Sequence, residues 1–403
     1  MTSEFSQIGL LLFISALVAI LCRRLRLPYT VGLVLAGMAL YLSPFRLSLQ
    51  LSKDLIYSVF LPPLVFEAAL YIRWAEFRRD LPVVGALATV GLVAAAAVTA
   101  VGMHYLARWA WSSAGIFGIL IAATDPVSVI ATFKEAEVKG RLRLLVEAES
   151  LLNDGTAAVL FAVAVGLASG VGVDAAHIGM SLVATVGGGV LCGVACSFTL
   201  LLLAGRTVDP LIEITLTTLA AYGSFYLAEH LHCSGVLAAL AAGLVAGNYG
   251  LRGSHPFGGR EAVQSFWDYV AFVVNSLIFL LIGTSMTQQN FNDLWLPGLL
   301  AIVLVTLGRA VAIYPVCAMF RFGALRVDLR DQHILFWGGL RGALALALAL
   351  GLPPTLPLHD QIVTVSFGVV AFSIFAQGLS MSPLLRRLGR LPPTPHPADE
   401  FPP

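Results

Sequence analysis

The chain is divided into long apolar runs separated by short polar loops, and this division constrains its fold more than any other feature. About thirteen runs are long enough for a helix to cross a membrane, which takes about 17–25 residues, or fewer where the helix is broken. They lie near 7–22, 29–44, 54–71, 82–107, 112–133, 142–169, 177–204, 209–229, 234–249, 265–286, 295–320, 332–351 and 361–385. Charged residues make up only 12% of the chain, about half their share in soluble domains. The sequence therefore predicts an all-α polytopic membrane protein, and its net charge of +1 argues against a nucleic-acid partner.

The distribution of basic residues predicts the orientation. When the loops are assigned alternately to the two sides, 19 of the 24 lysines and arginines fall on one side and 3 on the other, while Arg309 and Arg341 lie inside runs. Loops that face the cytoplasm carry an excess of lysine and arginine. We therefore predict an odd number of spans in the cell (inner) membrane, with the N-terminus outside and the C-terminus in the cytoplasm.

Two runs carry helix-breaking residues near their middles. The fifth reads Thr124-Asp125-Pro126, where proline removes a backbone donor and clashes with the preceding turn. The twelfth reads Gly338-Gly339-Leu340-Arg341-Gly342, and each glycine weakens a helix by about 1 kcal/mol relative to alanine. If the seventh run is a linker, the two breaks are equivalent elements of two inverted repeats of six helices each. Discontinuous helices at such positions are typical of a transporter binding site.

Carboxylates also lie inside the apolar runs, where they are costly and mark functional sites. Asp154 and Ser150 share one face of a helix because they are four residues apart. Asp125 and the Thr124 carbonyl approach from the broken fifth run. Small monovalent cations prefer such a set of oxygens, and a carboxylate binds a cation when ionised and a proton when neutral. This pattern predicts a Na⁺ site at Asp154, Asp125, Ser150 and Thr124 and suggests cation–proton exchange.

The two arginines inside the runs need partners, because a buried unpaired charge is strongly destabilising. Glu149 is the best available partner for one of them. We favour a structural ion pair between Glu149 and Arg309, with Arg341 near the ends of the broken helices, and Arg341 remains the alternative partner.

Glu67 lies close to the cytoplasmic end of the third run, after a proline pair that we expect to kink the helix. A funnel role and a binding role are both open for Glu67.

At these residues the chain resembles the monovalent cation:proton antiporter-1 family, in particular its prokaryotic NhaP type. The motifs are Phe66-Glu67-Ala68-Ala69-Leu70, Ala123-Thr124-Asp125-Pro126-Val127, Glu149-Ser150-Leu151-Leu152-Asn153-Asp154-Gly155-Thr156 and Gly338-Gly339-Leu340-Arg341-Gly342. The resemblance implies an NhaA-like fold with crossed broken helices, a homodimer, and a mobile core that slides against a dimerisation domain. It also implies that Asp154 binds both cation and proton, with Asp125, Thr124 and Ser150 as further ligands. The Asn153-Asp154 pair implies electroneutral exchange, and Asn153 belongs with Asp154 to the predicted cation- and proton-binding residues.

We predict a single transmembrane unit over 1–391. Its core comprises the spans near 82–169 and 295–385, its scaffold those near 7–71 and 209–286, and its linker the span 177–204. The Pro-rich tail 392–403 is predicted to be disordered and cytoplasmic. We expect no cofactor, and no regulatory C-terminal domain like that of the animal sodium/proton exchangers.

The resulting hypothesis is a secondary antiporter, not an enzyme, that exchanges Na⁺, or else Li⁺ or K⁺, for H⁺ one for one and serves pH and sodium homeostasis. An organic-anion symporter on the same scaffold is disfavoured because the site is acidic. An intramembrane aspartyl protease using Asp125 and Asp154 is disfavoured because the chain has no Gly-x-Gly-Asp run. A passive channel is disfavoured because a single acid shared by two ions favours a carrier.

Overall fold

A computed structural model describes residues 2–25, 27–43, 50–125, 129–130, 133, 138, 140–168, 175–204, 209–251, 258–292 and 294–390. Within these residues the chain forms helices and no strands. The helices are α1 (Thr2–Leu25), α2 (Tyr29–Leu42), α3 (Leu55–Tyr71), α4 (Trp74–Ala107), α5 (Trp111–Ala122), α6 (Arg141–Ala168), α7 (Ala175–Ala204), α8 (Pro210–His230), α9 (Gly235–Gly250), α10 (Arg260–Thr287), α11 (Trp295–Met319), α12 (Leu329–Trp337), α13 (Ala343–Leu350) and α14 (His359–Arg387).

Each predicted apolar run overlaps at least one helix, and the twelfth run corresponds to the pair α12 and α13. In the described part of the chain, 8 helices are long and apolar enough to cross a membrane: α1, α4, α6, α7, α8, α10, α11 and α14. Helices α2, α3, α5 and α9 are apolar but shorter. The chain is therefore a multi-pass membrane protein, as predicted, while the number of thirteen crossings stays a prediction. The predicted tail at 392–403 lies outside the described residues.

Helix α4 begins well before the apolar run that predicts it, at Trp74 rather than near residue 82. The segment before the apolar run is charged, but its Asp80 is fully buried. The carboxylate of Asp80 lies 2.8 Å from the guanidinium group of Arg141 of α6. Arg141 also donates to the carbonyl oxygens of Leu325, at 2.8 Å, and Arg326, at 2.5 Å. A paired carboxylate can be buried, so the helix continues through a charged segment. These contacts join α4, α6 and the loop between α11 and α12.

In the part of the chain that the structure describes, four helices contain a π-helical turn, a feature that is frequent at functional sites. These turns are Leu55–Phe60 in α3, Leu87–Gly91 in α4, Ala246–Gly250 in α9 and Ser373–Gln377 in α14. The turn in α3 comes directly before Pro62 and Pro63, where the sequence predicts a kink. The turn in α14 packs against the gap between α12 and α13, where the hydroxyl oxygen of Ser373 accepts a hydrogen bond from the backbone N–H of Arg341 at 2.8 Å.

Helices α2 and α10 approach each other at two glycines. A Cβ atom on Gly37 would lie 2.1 Å from the carbonyl oxygen of Leu280, and one on Gly283 would lie 2.2 Å from that of Val34. Within a membrane, small residues of this kind let helix backbones pack closely. The hydroxyl groups of Tyr29 and Ser276 add a hydrogen bond of 2.7 Å between the same two helices.

Buried apolar side chains of the described residues form three clusters, and the two larger ones meet at α13. The largest cluster connects α3–α6 with α11–α14, the second joins α1, α2 and α10 to α13 and α14, and the third lies among α3 and α7–α10. Every residue from Ala343 to Ala349 is buried, which is expected of a helix that is apolar on all sides. The short helix after the break therefore lies at the centre of the bundle. The predicted division into core, scaffold and linker stays a prediction.

Candidate ion-binding site

The two interrupted segments touch at their breaks. The chain leaves helical geometry after α5, at Ala123, and again between α12 and α13. The backbone N–H of Asp125 donates a hydrogen bond of 2.7 Å to the carbonyl oxygen of Leu340. Unwound backbone at membrane depth is tolerated only where its polar groups find such partners. Pro126, to which the sequence attributes the first break, lies outside the described residues.

Arg341 lies at the end of α5. Its Nη1 donates to the carbonyl oxygens of Ala122, at 2.6 Å, and Ala123, at 3.0 Å. The last carbonyls of a helix have no partner within the helix and carry the negative end of its dipole, so a cation is favourable there. Ser373 accepts from the Arg341 backbone and donates to Gln377 Oε1 at 2.5 Å. Arg341 therefore caps α5, and Ser373 supports Arg341 from α14.

Glu149 and Arg309 form a buried bidentate ion pair. Nη1 and Nη2 of Arg309 donate to the two carboxylate oxygens of Glu149 at 2.7 and 3.0 Å, and Nη2 also donates to the carbonyl oxygen of Leu335 at 3.0 Å. Parallel hydrogen bonds between these planar groups are among the strongest charge-assisted contacts in proteins. Of the two arginines considered as a partner for Glu149, it is Arg309 that makes the contact. The pair joins α6, α11 and α12.

Asn153 connects α6 to the unwound segment that follows α5. Its Nδ2 donates to Thr124 Oγ1 at 3.1 Å, to Glu149 Oε1 at 3.3 Å and to the Ala122 carbonyl oxygen at 3.4 Å. The Thr124 hydroxyl in turn donates to Ser150 Oγ at 3.2 Å. The predicted ligands Thr124 and Ser150 thus belong to one buried network, in which Asn153 acts as a donor.

Asp154 lies beside this network and has an unsatisfied oxygen. Its exposed fraction is 8%, and its Oδ1 is buried with no hydrogen-bond partner in the described part of the chain. An ionised carboxylate in such surroundings is costly unless a cation or a proton neutralises it. Asp154, Asp125 and Thr124 line the same cavity, whereas Ser150 and Asn153 are not among its lining residues.

The cavity has a volume of about 280 Å³. It extends from the point where the two interrupted segments touch towards the end of the bundle that carries most of the arginines. Its wall there includes Tyr71 at the end of α3, Tyr29 at the start of α2 and Arg143 in the first turn of α6. The charged residues that line it are Glu67, Asp125, Arg143, Glu147, Asp154 and Asp268. Among the described residues of the wall, five carboxylates against one arginine give a net negative charge, which raises the local concentration of cations. This acidic cavity leads from the basic end of the bundle to Asp154.

Several residues of this region are absent from the sequence-based hypothesis. Asp268 and Asn275 of α10 line the acidic cavity, and Glu147 forms an ion pair of 2.8 Å with Arg143 at its wall. Asp268 is the only charged residue in the run 265–286, so the rule that singles out carboxylates in apolar runs applies to it as well. Ser373 has no comparable signal, since a single hydroxyl in an apolar run is common.

An all-helical membrane bundle whose interrupted segments cross beside carboxylates defines a secondary transporter. A family model described as "Sodium/hydrogen exchanger, transmembrane" matches residues 10–387. The chain belongs to this family, and its relatives place it with the prokaryotic NhaP type. The predictions of a transporter rather than an enzyme, and of the antiporter fold, are confirmed.

Two relatives illustrate the relationship. The low-affinity Na⁺/H⁺ antiporter NhaS1 of Synechocystis is 38% identical over 370 residues, which is 90% of this chain and 70% of that protein. The Na⁺/H⁺ antiporter ApNhaP of Aphanothece halophytica is also 38% identical, over 367 residues, with the same coverage of both chains. Among solved structures, the sodium proton antiporter MjNhaP1 from Methanocaldococcus jannaschii at pH 8 superimposes with a TM-score of 0.76 at 20% identity and covers 96% of this chain and 99% of that one.

Proposed function

We propose that the chain exchanges Na⁺ for H⁺ across the cell (inner) membrane and that both ions compete for Asp154. The observation that carries this proposal is the buried, unsatisfied Oδ1 of Asp154 at the inner end of an acidic cavity. A carboxylate in that position requires a positive ligand, and its single negative charge is neutralised by one Na⁺ or by one H⁺. The antiporter names of the relatives support Na⁺ and H⁺ as the two ions.

In this proposal Asp154 and Asp125 supply carboxylate oxygens to the cation, and Ser150 and the Thr124 carbonyl supply neutral ones. The hydrogen bond between Thr124 and Ser150 supports this set, because it holds the unwound segment against α6 at the level of Asp154. A proton that binds to Asp154 neutralises the carboxylate. This removes the main electrostatic attraction that holds the cation at the site. Competition of this kind couples the two fluxes without any contact between the two ions.

The exchange is electroneutral in our proposal. Arg309 neutralises Glu149, and Asn153 is an amide that neither gains nor loses a proton in the working pH range. Of the acidic and amide groups at 149, 153 and 154, only Asp154 then changes its charge during a cycle. For each Na⁺ that crosses the membrane in one direction, one H⁺ crosses in the other.

We further propose a homodimer in which the core spans near 82–169 and 295–385 move, elevator-like, against the scaffold spans near 7–71 and 209–286, with 177–204 as the linker. The acidic cavity supports this division because its wall is shared: Glu67 and Asp268 come from the scaffold, while Asp125 and Asp154 come from the core. With the N-terminus outside, the basic end faces the cytoplasm, and the cavity then represents a cytoplasm-facing state.

Purified protein in liposomes tests the function directly. An imposed pH gradient, followed with an entrapped pH-sensitive dye, is expected to collapse when NaCl is added. Titration with NaCl, LiCl and KCl then ranks the cations. A response to K⁺ and not to Na⁺ would make the chain a K⁺/H⁺ antiporter, and no response to any of the three cations would contradict the proposal.

A further inference from the structure

A second cavity opens on the flank of the bundle, and its lining shares no residue with the acidic cavity among the described residues. Its volume is about 460 Å³. It lies between α11, α12 and α14 and is lined by Tyr314, His333, Phe336, Trp337, Ser380, Pro383, Leu384 and Arg387. We propose that this flank cavity binds an anionic phospholipid from the leaflet at the basic end of the bundle, with the phosphate at Arg387 and part of an acyl chain along the aromatic wall.

The flank cavity is amphipathic along its length. Arg387 lies in the last turn of α14, at the basic end, and is exposed. Deeper in the cavity the wall is aromatic: the ring centroids of Tyr314 and Phe336 are 5.7 Å apart, and those of Phe336 and Trp337 are 6.0 Å apart. A charged rim above an apolar wall matches a phospholipid, whose phosphate lies above its acyl chains. Basic pockets between transmembrane helices on the cytoplasmic side are known to bind anionic headgroups.

The polar groups of the flank cavity also favour an anion at the rim. Trp337 Nε1 donates to Ser380 Oγ at 2.7 Å, and the Tyr314 hydroxyl is 2.8 Å from His333 Nδ1, so the deeper polar atoms satisfy one another. Arg387, in contrast, has no ion-pair partner within the described residues, whereas Arg390 nearby pairs with Asp331. A lipid phosphate would provide that partner, and His333 Nε2 remains for a second contact.

The surroundings of the flank cavity identify the occupant as a lipid. Exposed apolar side chains flank it on two helices, including Val311 and Met319 on α11 and Leu379 on α14. In a multi-pass membrane protein such side chains face hydrocarbon, so the cavity opens towards the bilayer. A free anion dissolved in water would gain nothing from the aromatic wall.

A lipid at this site has a structural consequence for the transporter. Helix α12 leads directly to the break at Gly338–Gly342, and Trp337 is its last residue. A molecule that contacts both α12 and α14 would hold the first half of the broken span against its neighbour. We therefore expect the bound lipid to raise the thermal stability of the fold. This inference depends on the membrane placement and not on which ions are exchanged, so a failure of Na⁺/H⁺ exchange leaves it intact.

The test is the thermal unfolding of the full chain in detergent, with added dioleoylphosphatidylglycerol, dioleoylphosphatidylcholine or inorganic phosphate. Arg387→Ala is compared with Arg386→Ala, which removes an arginine one position away that is also exposed but is not among the cavity's lining residues. Each variant is measured against its own lipid-free baseline. We expect phosphatidylglycerol to raise the Tm of the parent and of Arg386→Ala, and this rise to be lost in Arg387→Ala.

Three results would overturn the inference. Equal loss of the rise in the two arginine variants would indicate a diffuse attraction to the whole basic rim. An equal rise with phosphatidylcholine would show that the headgroup charge is irrelevant. An equal rise with inorganic phosphate would indicate an anion site that does not involve the acyl chain.

Discussion

Arg309 donates one hydrogen bond to each carboxylate oxygen of Glu149, at 2.7 and 3.0 Å, and both side chains are buried. Glu149 lies one helical turn before Asn153 and accepts a hydrogen bond from it at 3.3 Å. The pair therefore fixes a charge close to Asp154 without leaving that charge free to bind an ion. In our proposal this arrangement separates Glu149, a structural carboxylate, from Asp154, the carboxylate whose ligand changes.

We expect Glu149→Gln to reduce stability while leaving the cation affinity of the folded protein close to that of the parent. Removing one member of a buried ion pair leaves an uncompensated charge and costs about 3–5 kcal/mol. Thermal unfolding in detergent measures the loss. Glu76→Gln, which removes an exposed pair with Arg73, is the matched control and should cost about 1 kcal/mol or less. A variant that melts like the parent but loses Na⁺ affinity would show that Glu149 is a ligand.

Asp154→Asn should abolish cation-driven proton flux in liposomes while the protein still elutes as the folded species. The substitution keeps the size of the side chain but removes the only group that we propose to bind both ions. Asp360→Asn makes the same chemical change at an exposed carboxylate at the start of α14 and should leave the flux unchanged. Measurable Na⁺-driven proton flux in Asp154→Asn would falsify the shared-site mechanism.

Membrane potential should have no effect on the final distribution of Na⁺. In our proposal the loaded protein has the same net charge in both directions of transport, because one Na⁺ or one H⁺ neutralises the charge of Asp154. The measurement uses liposomes in which valinomycin and a K⁺ gradient set the potential, once K⁺ transport by the protein itself has been excluded. A shift of the Na⁺ distribution with potential would mean that another acid, such as Asp125 or Glu67, releases a second proton in each cycle.

Gly342→Ala should weaken cation binding through Asp125. A Cβ atom at this position would lie 2.0 Å from Asp125 Oδ2 and 2.4 Å from Asp125 Cβ, so the carboxylate must move. We expect the half-saturating Na⁺ concentration to rise about tenfold, which corresponds to about 1.4 kcal/mol. Gly378→Ala in α14 is the control, because its Cβ would meet only ordinary contacts at 3.8 Å. Equal effects of the two substitutions would argue against a role for Asp125 in binding.

Asp268→Asn should raise the half-saturating Na⁺ concentration severalfold without abolishing exchange. Asp268 adds to the negative charge of the acidic cavity, and such a charge concentrates cations in a way that salt screens. The difference from the parent should therefore shrink when an inert salt is added. Glu261→Gln in the first turn of the same helix, outside the cavity lining, should change little. An effect of Asp268→Asn that persists at high ionic strength would point to direct ligation instead.

The sequence could predict those residues of the site that depart from the local pattern, which is either an apolar run or a continuous helix. Asp125 and Asp154 are carboxylates in apolar runs, and Gly338–Gly342 interrupts a helical pattern, so each stands out without any knowledge of its neighbours. The choice between Arg309 and Arg341 as the partner of Glu149 could not be made, because it depends on how α11 and α13 lie against α6. Ser373 and Gln377 were missed for the same reason, since their polar groups matter only through contact with the break. The roles of the predicted ligands remain predictions.

In our proposal the amide of Asn153, whose Nδ2 donates to three acceptors, also limits the sodium gradient that the exchanger can sustain. Under the proposed one-for-one exchange, the membrane potential does not contribute to the driving force for sodium transport, and only the pH difference does. The largest sodium ratio that the protein can sustain then equals the proton ratio, and one unit of pH difference is worth a factor of ten, or about 1.4 kcal/mol. With equal sodium concentrations on the two sides, a cell would export sodium through this protein only while its surroundings are more acidic than its cytoplasm. At the same sodium concentrations, surroundings more alkaline than the cytoplasm would reverse the exchange and admit sodium.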